Sequence, residues 1–140
     1  MSQENVEIVR SSYEAFNARN NEALKELYDP GAIIVRGLEG WPEGEEPVVG
    51  REEIIRSFEA GRDAFDADAL EPTSVLDAGD RVVVRQVWRG TGHGPEARIE
   101  WTVVCTMRKG KVFLLEFFWD HAEALETLGL PQENAQTPPS

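Results

Sequence analysis

The spacing of apolar residues changes near residue 67, and this change constrains the fold more than any other feature of the chain. Before it, apolar residues recur every three or four positions, which is the spacing of a helix face: Val6, Val9, Tyr13 and Phe16. After it, apolar and polar residues alternate, most clearly in 98–107, which is the pattern of a half-buried strand. Helices followed by strands predict an α+β domain in which the helices cover one face of an antiparallel sheet.

The pattern also predicts where each element lies. Helices are expected at 4–18, 22–28, 51–66 and 121–128, and strands at 32–36, 70–76, 81–89, 98–108 and 111–119. The last three strands are joined by turns and form a meander. The residues assigned to its inner face are Val82, Val84, Gln86, Trp88, Ile99, Trp101, Val103, Cys105, Met107, Phe113, Leu115, Phe117 and Trp119. The Gly- and Glu-rich stretch 37–50 is predicted to be a long loop that carries Trp41.

Length and charge exclude several classes of protein. A chain of 140 residues is expected to form one domain, here 1–130, followed by a disordered tail at 131–140. Its net charge of -12 disfavours nucleic acid and anionic membranes as partners. One cysteine and two histidines provide neither a disulfide nor a Cys/His zinc site, and no cofactor motif is present. The polar start lacks the features of a secretory signal, so a cytoplasmic location is expected.

Five segments of the chain resemble a known family. They are 5–17, 22–30, 50–54, 77–84 and 106–112, which are similar to landmarks of the SnoaL-like polyketide cyclase branch of the nuclear transport factor 2-like superfamily. The resemblance implies a cone-shaped α+β barrel, in which three N-terminal helices close a strongly curved, mainly antiparallel sheet and a short C-terminal helix follows. It also implies an apolar pocket between helices and sheet, and frequent dimerisation through the outer sheet surface.

The resemblance does not fix a reaction, because the superfamily includes isomerases, hydrolases, cyclases and binding proteins. At the positions that match the catalytic groups of the ketosteroid isomerases, this chain has Arg36, Ser12 and Val103. An arginine stays protonated and cannot act as the base, so an isomerase of that type is not expected. The cyclases are similar to this chain in having an acid near the end of the last strand, where Asp120 lies.

Two polar residues are candidates for contact with a ligand. Arg36 follows an apolar strand and can hold a ligand oxygen with bidentate hydrogen bonds, or form an ion pair with a loop glutamate. Gln86 lies on the predicted inner face, where its amide can bind a ligand carbonyl or a helix side chain. The aromatic candidates Tyr13, Trp88, Trp101, Phe117 and Trp119 either line a pocket with Val103 or fill the core. Trp41, the aromatic candidate in the loop, is either a lid residue or a dimer contact.

Asp120 and His121 are adjacent and form a candidate acid and imidazole pair. The alternative is that Asp120 caps the last helix, and His93 is interpreted as a turn residue. The predicted function is a homodimeric protein that binds a small, mostly apolar organic molecule, with cofactor-free proton transfer, cyclisation or hydration as the chemistry if it catalyses any. The alternative is a non-catalytic dimeric protein whose pocket is filled by Trp88 and Trp119.

Overall fold

The computed structural model describes residues 2–36, 38–41, 44–92 and 94–129. His93 and the predicted tail at 131–140 lie outside these residues. The described helices are α1 (Ser2–Asn17), α2 (Asn21–Leu27), α3 (Arg51–Arg62) and α4 (His121–Thr127). The strands are β1 (Tyr28–Val35), β2 (Val48–Val49), β3 (Ala67–Ala78), β4 (Arg81–Thr91), β5 (Ala97–Arg108) and β6 (Lys111–Phe118).

The described strands form one sheet in the order β2-β1-β6-β5-β4-β3. Neighbouring strands are antiparallel except for β1 and β6, which are parallel. Side chains from β1 and β4 reach the same cavity although two strands separate them, because the sheet is strongly curved. The predicted α+β fold and its meander are therefore confirmed.

The two faces of the sheet bury separate clusters of apolar side chains. The inner face packs against the first three helices. The cluster between them includes Val9 of α1, Ile54 of α3 and Val84 of β4, which are fully buried. On the outer face α4 packs through Ala124 and Leu125 onto Val83 and Val104. Since neighbouring residues of a strand point to opposite faces, this division follows from the alternation that the sequence shows.

The strand boundaries differ from the prediction where pairing, rather than local sequence, decides them. β3 runs from Ala67, three residues earlier than predicted, because it pairs with β4 along its length. β1 begins at Tyr28, before the predicted start at residue 32, and includes Asp29-Pro30-Gly31. Conversely, α3 ends at Arg62, earlier than predicted, and Asp63 is its C-cap.

The prediction that Phe113 faces inward is wrong, because the ladder between β5 and β6 is irregular there. Thr106 pairs with Leu114 while Met107 pairs with Val112, so Phe113 is the extra residue of a bulge. As a result Val112 takes the inward position and is 1% exposed. Cζ of the Arg108 guanidinium instead lies over the ring of Phe113, 3.8 Å from the ring centroid.

Candidate functional site: an apolar cavity in the curved sheet

A cavity of about 400 Å³ lies between the first three helices and the inner face of the sheet. Apolar and aromatic side chains form most of its wall, including Phe16, Leu24, Ile34, Phe58 and Leu115. No Asp, Glu, His or Lys lines it within the described part of the chain. A concave, mostly apolar space of this size, with a few convergent polar groups, is typical of small-molecule sites.

The structure brings almost all of the predicted ligand-contacting residues together. The predicted residues that line the cavity are Tyr13, Arg36, Trp41, Gln86, Trp88, Trp101, Val103 and Phe117. Trp119 does not line it. This residue follows the last strand, which ends at Phe118, and it is 43% exposed. The cavity is also not filled by Trp88 and Trp119, contrary to the alternative prediction.

Tyr13 and Gln86 form a buried hydrogen bond across the cavity wall. The hydroxyl of Tyr13 on α1 donates to Oε1 of Gln86 on β4, and the two residues are 8% and 3% exposed. Burial raises the pKa of Tyr13 well above its usual value, so its hydroxyl is protonated at neutral pH. The NH₂ group of Gln86 has no acceptor among the described residues.

Tyr28 and Cys105 lie near Tyr13 and also line the cavity. Burial is the main cause that raises the pKa of Tyr28, and it raises the pKa of the Cys105 thiol to about 12. Cys105 is therefore an uncharged thiol at neutral pH and a poor nucleophile, in agreement with its interpretation as a small buried hydrophobic residue. Tyr28 was missed as a lining residue because the sequence placed it in the second helix rather than at the start of β1.

Arg36 follows β1 directly and lies at the edge of the cavity, where it is 7% exposed. Its Nη2 donates to the backbone carbonyl of Glu46 at 3.2 Å. The loop after β1 therefore folds back over the guanidinium. The strand register places this side chain on the cavity side, which the sequence alone left open.

An aromatic cluster forms part of the cavity wall. The ring of Trp41 packs against Trp101 at 5.0 Å and 73°, against Phe117 at 5.2 Å and against Trp119 at 5.4 Å. Nε1 of Trp119 also donates to the carbonyl of Glu39 at 3.1 Å. Trp41 therefore belongs to the cavity wall, and Trp119 supports it from outside.

Two indole nitrogens of this cluster are buried without a hydrogen-bond acceptor in the residues that the structure describes. They are Nε1 of Trp41 and Nε1 of Trp101. Buried donors without a partner are uncommon in folded proteins, so they point to a missing partner or to contact with a ring face.

A buried charge network beside the cavity had no signal in the sequence. The carboxylate of Asp68 is fully buried and accepts from Nη2 of Arg62 at 2.8 Å, Nη2 of Arg19 at 3.0 Å and Nε1 of Trp88 at 2.7 Å. Arg62 also donates to the carbonyl of Phe16 at 2.7 Å. The network fixes two cavity-lining side chains, Arg62 and Trp88. Charged residues on a helix are usually exposed, so no sequence signal marked Arg62 as buried.

Asp120 and His121 do not reach the cavity, and the structure does not support them as its proton carriers. Asp120 is the N-cap of α4, and its carboxylate accepts from the amide of Ala122 at 2.9 Å. Nδ1 of His121 lies 3.0 Å from Oγ1 of Thr102, which is on the outer face of β5. Desolvation and the nearby Arg85 lower the pKa of His121, and Asp120 partly opposes them. The structural alternative for Asp120 is confirmed.

Groups that could hold a metal ion are absent from the described residues, where no three His, Cys, Asp or Glu side chains cluster. Within the same residues, no helix combines the length and hydropathy needed to span a membrane.

Comparison with known proteins places the chain in a family. The sequence profile of the SnoaL-like domain matches residues 9–115. This chain belongs to the SnoaL-like domain family. No match was found among curated protein sequences. The SnoaL-like chain also resembles many solved structures of the nuclear transport factor 2-like and ketosteroid isomerase-like fold.

Three of these structures illustrate the similarity. A nuclear transport factor 2-like protein of unknown function from Burkholderia pseudomallei is 26% identical, with a TM-score of 0.71 over 88% of this chain and 95% of its own. TerC, crystallised with polyporic acid, is 25% identical, with a TM-score of 0.70 over 90% and 98%. Bal32a, from a soil-derived mobile gene cassette, is 25% identical, with a TM-score of 0.74 over 89% and 96%.

The SnoaL-like cavity of this chain lacks the acids that the isomerase resemblance would require. Arg36, Ser12 and Val103, which match the isomerase positions, all line the cavity. The hydroxyl of Ser12 donates to the carbonyl of Val9 at 2.6 Å, and Val103 has no polar atom in its side chain. Within the described lining the polar groups can therefore hydrogen-bond to a ligand, but none is a carboxylate or imidazole that could act as a base.

Proposed function

We propose that this protein binds a small, mostly apolar organic molecule in the cavity and that it does so without acid-base catalysis. The observation that carries the proposal is the cavity of about 400 Å³ with aromatic walls and few polar groups. The Tyr13 and Gln86 pair and Arg36 orient the oxygen atoms of the ligand. The co-crystal of TerC with polyporic acid supports an organic ligand in a related fold.

Polyporic acid is the first probe, and the indoles of Trp41, Trp88 and Trp101 report its binding because they line the cavity. We expect saturable quenching of tryptophan fluorescence in the wild-type protein. In Ser57→Phe, a new ring projects into the cavity from α3, and overpacking of about 1–3 kcal/mol should weaken binding about 10-fold.

The matched control is Ser74→Phe, which makes the same substitution at an exposed position of β3 and should leave binding unchanged. Equal quenching by polyporic acid in all three proteins would mean that it binds outside the cavity. The absence of saturable quenching in the wild-type protein would contradict the proposal for this ligand class.

We also propose that the protein is a homodimer joined through the outer face of β2, β1 and β6. Val49 is 62% exposed and Val35 is 42% exposed. Val49 pairs with Ile33, which pairs with Leu114, so these side chains form an apolar row next to Val35. Phe118, further along the outer face of β6, does not extend this row, because it packs against the cluster under α4.

Size-exclusion chromatography with light scattering, at a protein concentration on the order of tens of micromolar, tests the dimer. We expect twice the chain mass for the wild-type protein and the single chain mass for Val35→Asp, because the new carboxylate, beside Glu116 of the same chain, would be buried in the apolar interface without a counter-charge. Thr73→Asp, at an exposed position of β3, is the control and should stay dimeric. A monomeric wild-type protein would refute the dimer without affecting the ligand proposal.

A further inference from the structure

Gln86 leaves an unused hydrogen-bond donor at the cavity wall. Its Oε1 accepts from Tyr13, and its NH₂ group has no acceptor among the described residues. Gln86 lines the cavity, and the described lining contains no carboxylate, imidazole or asparagine that could supply an acceptor from the protein. An acceptor on a bound molecule would therefore meet a donor that the protein itself leaves without a partner.

Tyr13 decides which end of the Gln86 amide faces the cavity. The two ends of a primary amide have nearly the same shape, so its orientation depends on its hydrogen-bond partners. The buried Tyr13 hydroxyl donates to Oε1 of Gln86 in the structure. The reverse orientation would turn the amide N–H group toward this hydroxyl, so the Tyr13 proton would lose that acceptor, which costs free energy in a buried site.

We infer that the cavity selects ligands with a carbonyl-type acceptor oxygen, which accepts from the Gln86 amide while Tyr13 acts as the positioning residue that fixes the amide. Ketones, quinones, enolates and carboxylates share this oxygen. A ligand that presents only a hydrogen-bond donor at this point would face the N–H group of Gln86, and two donors cannot form a hydrogen bond. The inference rests on the proposed function, because it names the chemical class that the same cavity takes.

The matched probes are 9-fluorenone and fluorene, which share a rigid aromatic frame and differ in one carbonyl oxygen. Tryptophan fluorescence gives the affinity of the protein for each probe, and infrared spectroscopy gives the carbonyl stretch of bound fluorenone. We expect fluorenone to bind more tightly than fluorene, and its carbonyl stretch to lie lower than in a non-hydrogen-bonding solvent.

Two variants test the separate roles of the pair. In Gln86→Met the donor is lost at similar volume, so the ratio of fluorenone affinity to fluorene affinity should fall about 3- to 10-fold and the carbonyl stretch should rise. In Tyr13→Phe the amide keeps its donor but loses its orienting partner, so the ratio should fall less and the carbonyl band should broaden. Arg85→Met is the control, because Arg85 neighbours Gln86 but is exposed on the opposite face.

The outcomes separate this inference from the proposed function. If both probes bind the wild-type protein equally, and the carbonyl band is the same in Gln86→Met, the cavity binds apolar molecules but the inference is wrong. If neither probe binds, the proposed function fails and the inference fails with it. If Gln86→Met does not fold, an unchanged carbonyl band in Tyr13→Phe is sufficient to refute the role of the pair.

Discussion

Replacing Asp68 with alanine is expected to lower the free energy of unfolding by about 3–5 kcal/mol, because it removes one partner of a buried ion pair. The Asp68 carboxylate has no exposed surface, and the Arg62 side chain beside it is 7% exposed. Without the carboxylate, the Arg62 guanidinium stays buried without its counter-charge. The indole nitrogen of Trp88 also loses its acceptor.

Urea denaturation followed by circular dichroism measures this loss of stability. The control is Glu71→Ala, because Glu71 and Arg89 form an ion pair at 3.1 Å in which both side chains are exposed. That pair should contribute no more than about 1 kcal/mol. If the two variants lose the same stability, the network around Asp68 does not stabilise the fold as we describe. Near-ultraviolet circular dichroism should also change in Asp68→Ala, since Trp88 is no longer held.

Replacing Leu125 with alanine is expected to cost about 2–5 kcal/mol, because the side chain is fully buried between α4 and the outer face of the sheet. The truncation leaves a space next to Val83 and Val104, which belong to two strands and cannot both move to fill it. Leu128→Ala is the matched control, since Leu128 is only partly buried on the same cluster and should cost less.

The same denaturation experiment compares the two leucine variants. A loss of stability in Leu125→Ala that is no greater than in Leu128→Ala would mean that α4 is not docked as described. Binding of polyporic acid to folded Leu125→Ala should be unchanged, because the substitution lies on the face of the sheet opposite the cavity.

The sequence predicted the elements and their faces well, because hydrophobic period is a local property that burial imposes on each element. Val84, Gln86, Trp101 and Val103 face inward as the alternation indicated. Phe113 does not, since a bulge depends on the register between two strands and has no clear signal in either one. Pairing with β4 likewise extended β3 beyond its apolar core.

The candidate site was predictable to the extent that its residues lie on regular strands. Tyr13 and Gln86 were predicted separately to face inward, but their hydrogen bond joins positions far apart in the sequence. Arg62 and Asp68 were missed because both are charged, and a charged residue is normally exposed. Asp120 and His121 are neighbours in sequence, but neither is at the cavity. Asp120 caps α4, and His121 contacts Thr102 on the outer face of the sheet.

The alternation of the sheet has a consequence for how this chain can change over time. Val103 borders the cavity and Val104 packs beneath α4, so a single peptide bond separates a residue that shapes ligand choice from one that holds the architecture. The same holds for Val82 and Val83, which belong to the inner and outer clusters. Substitutions can therefore accumulate on one side of a strand while the other side is conserved, and a descendant can acquire a new ligand without rebuilding its scaffold.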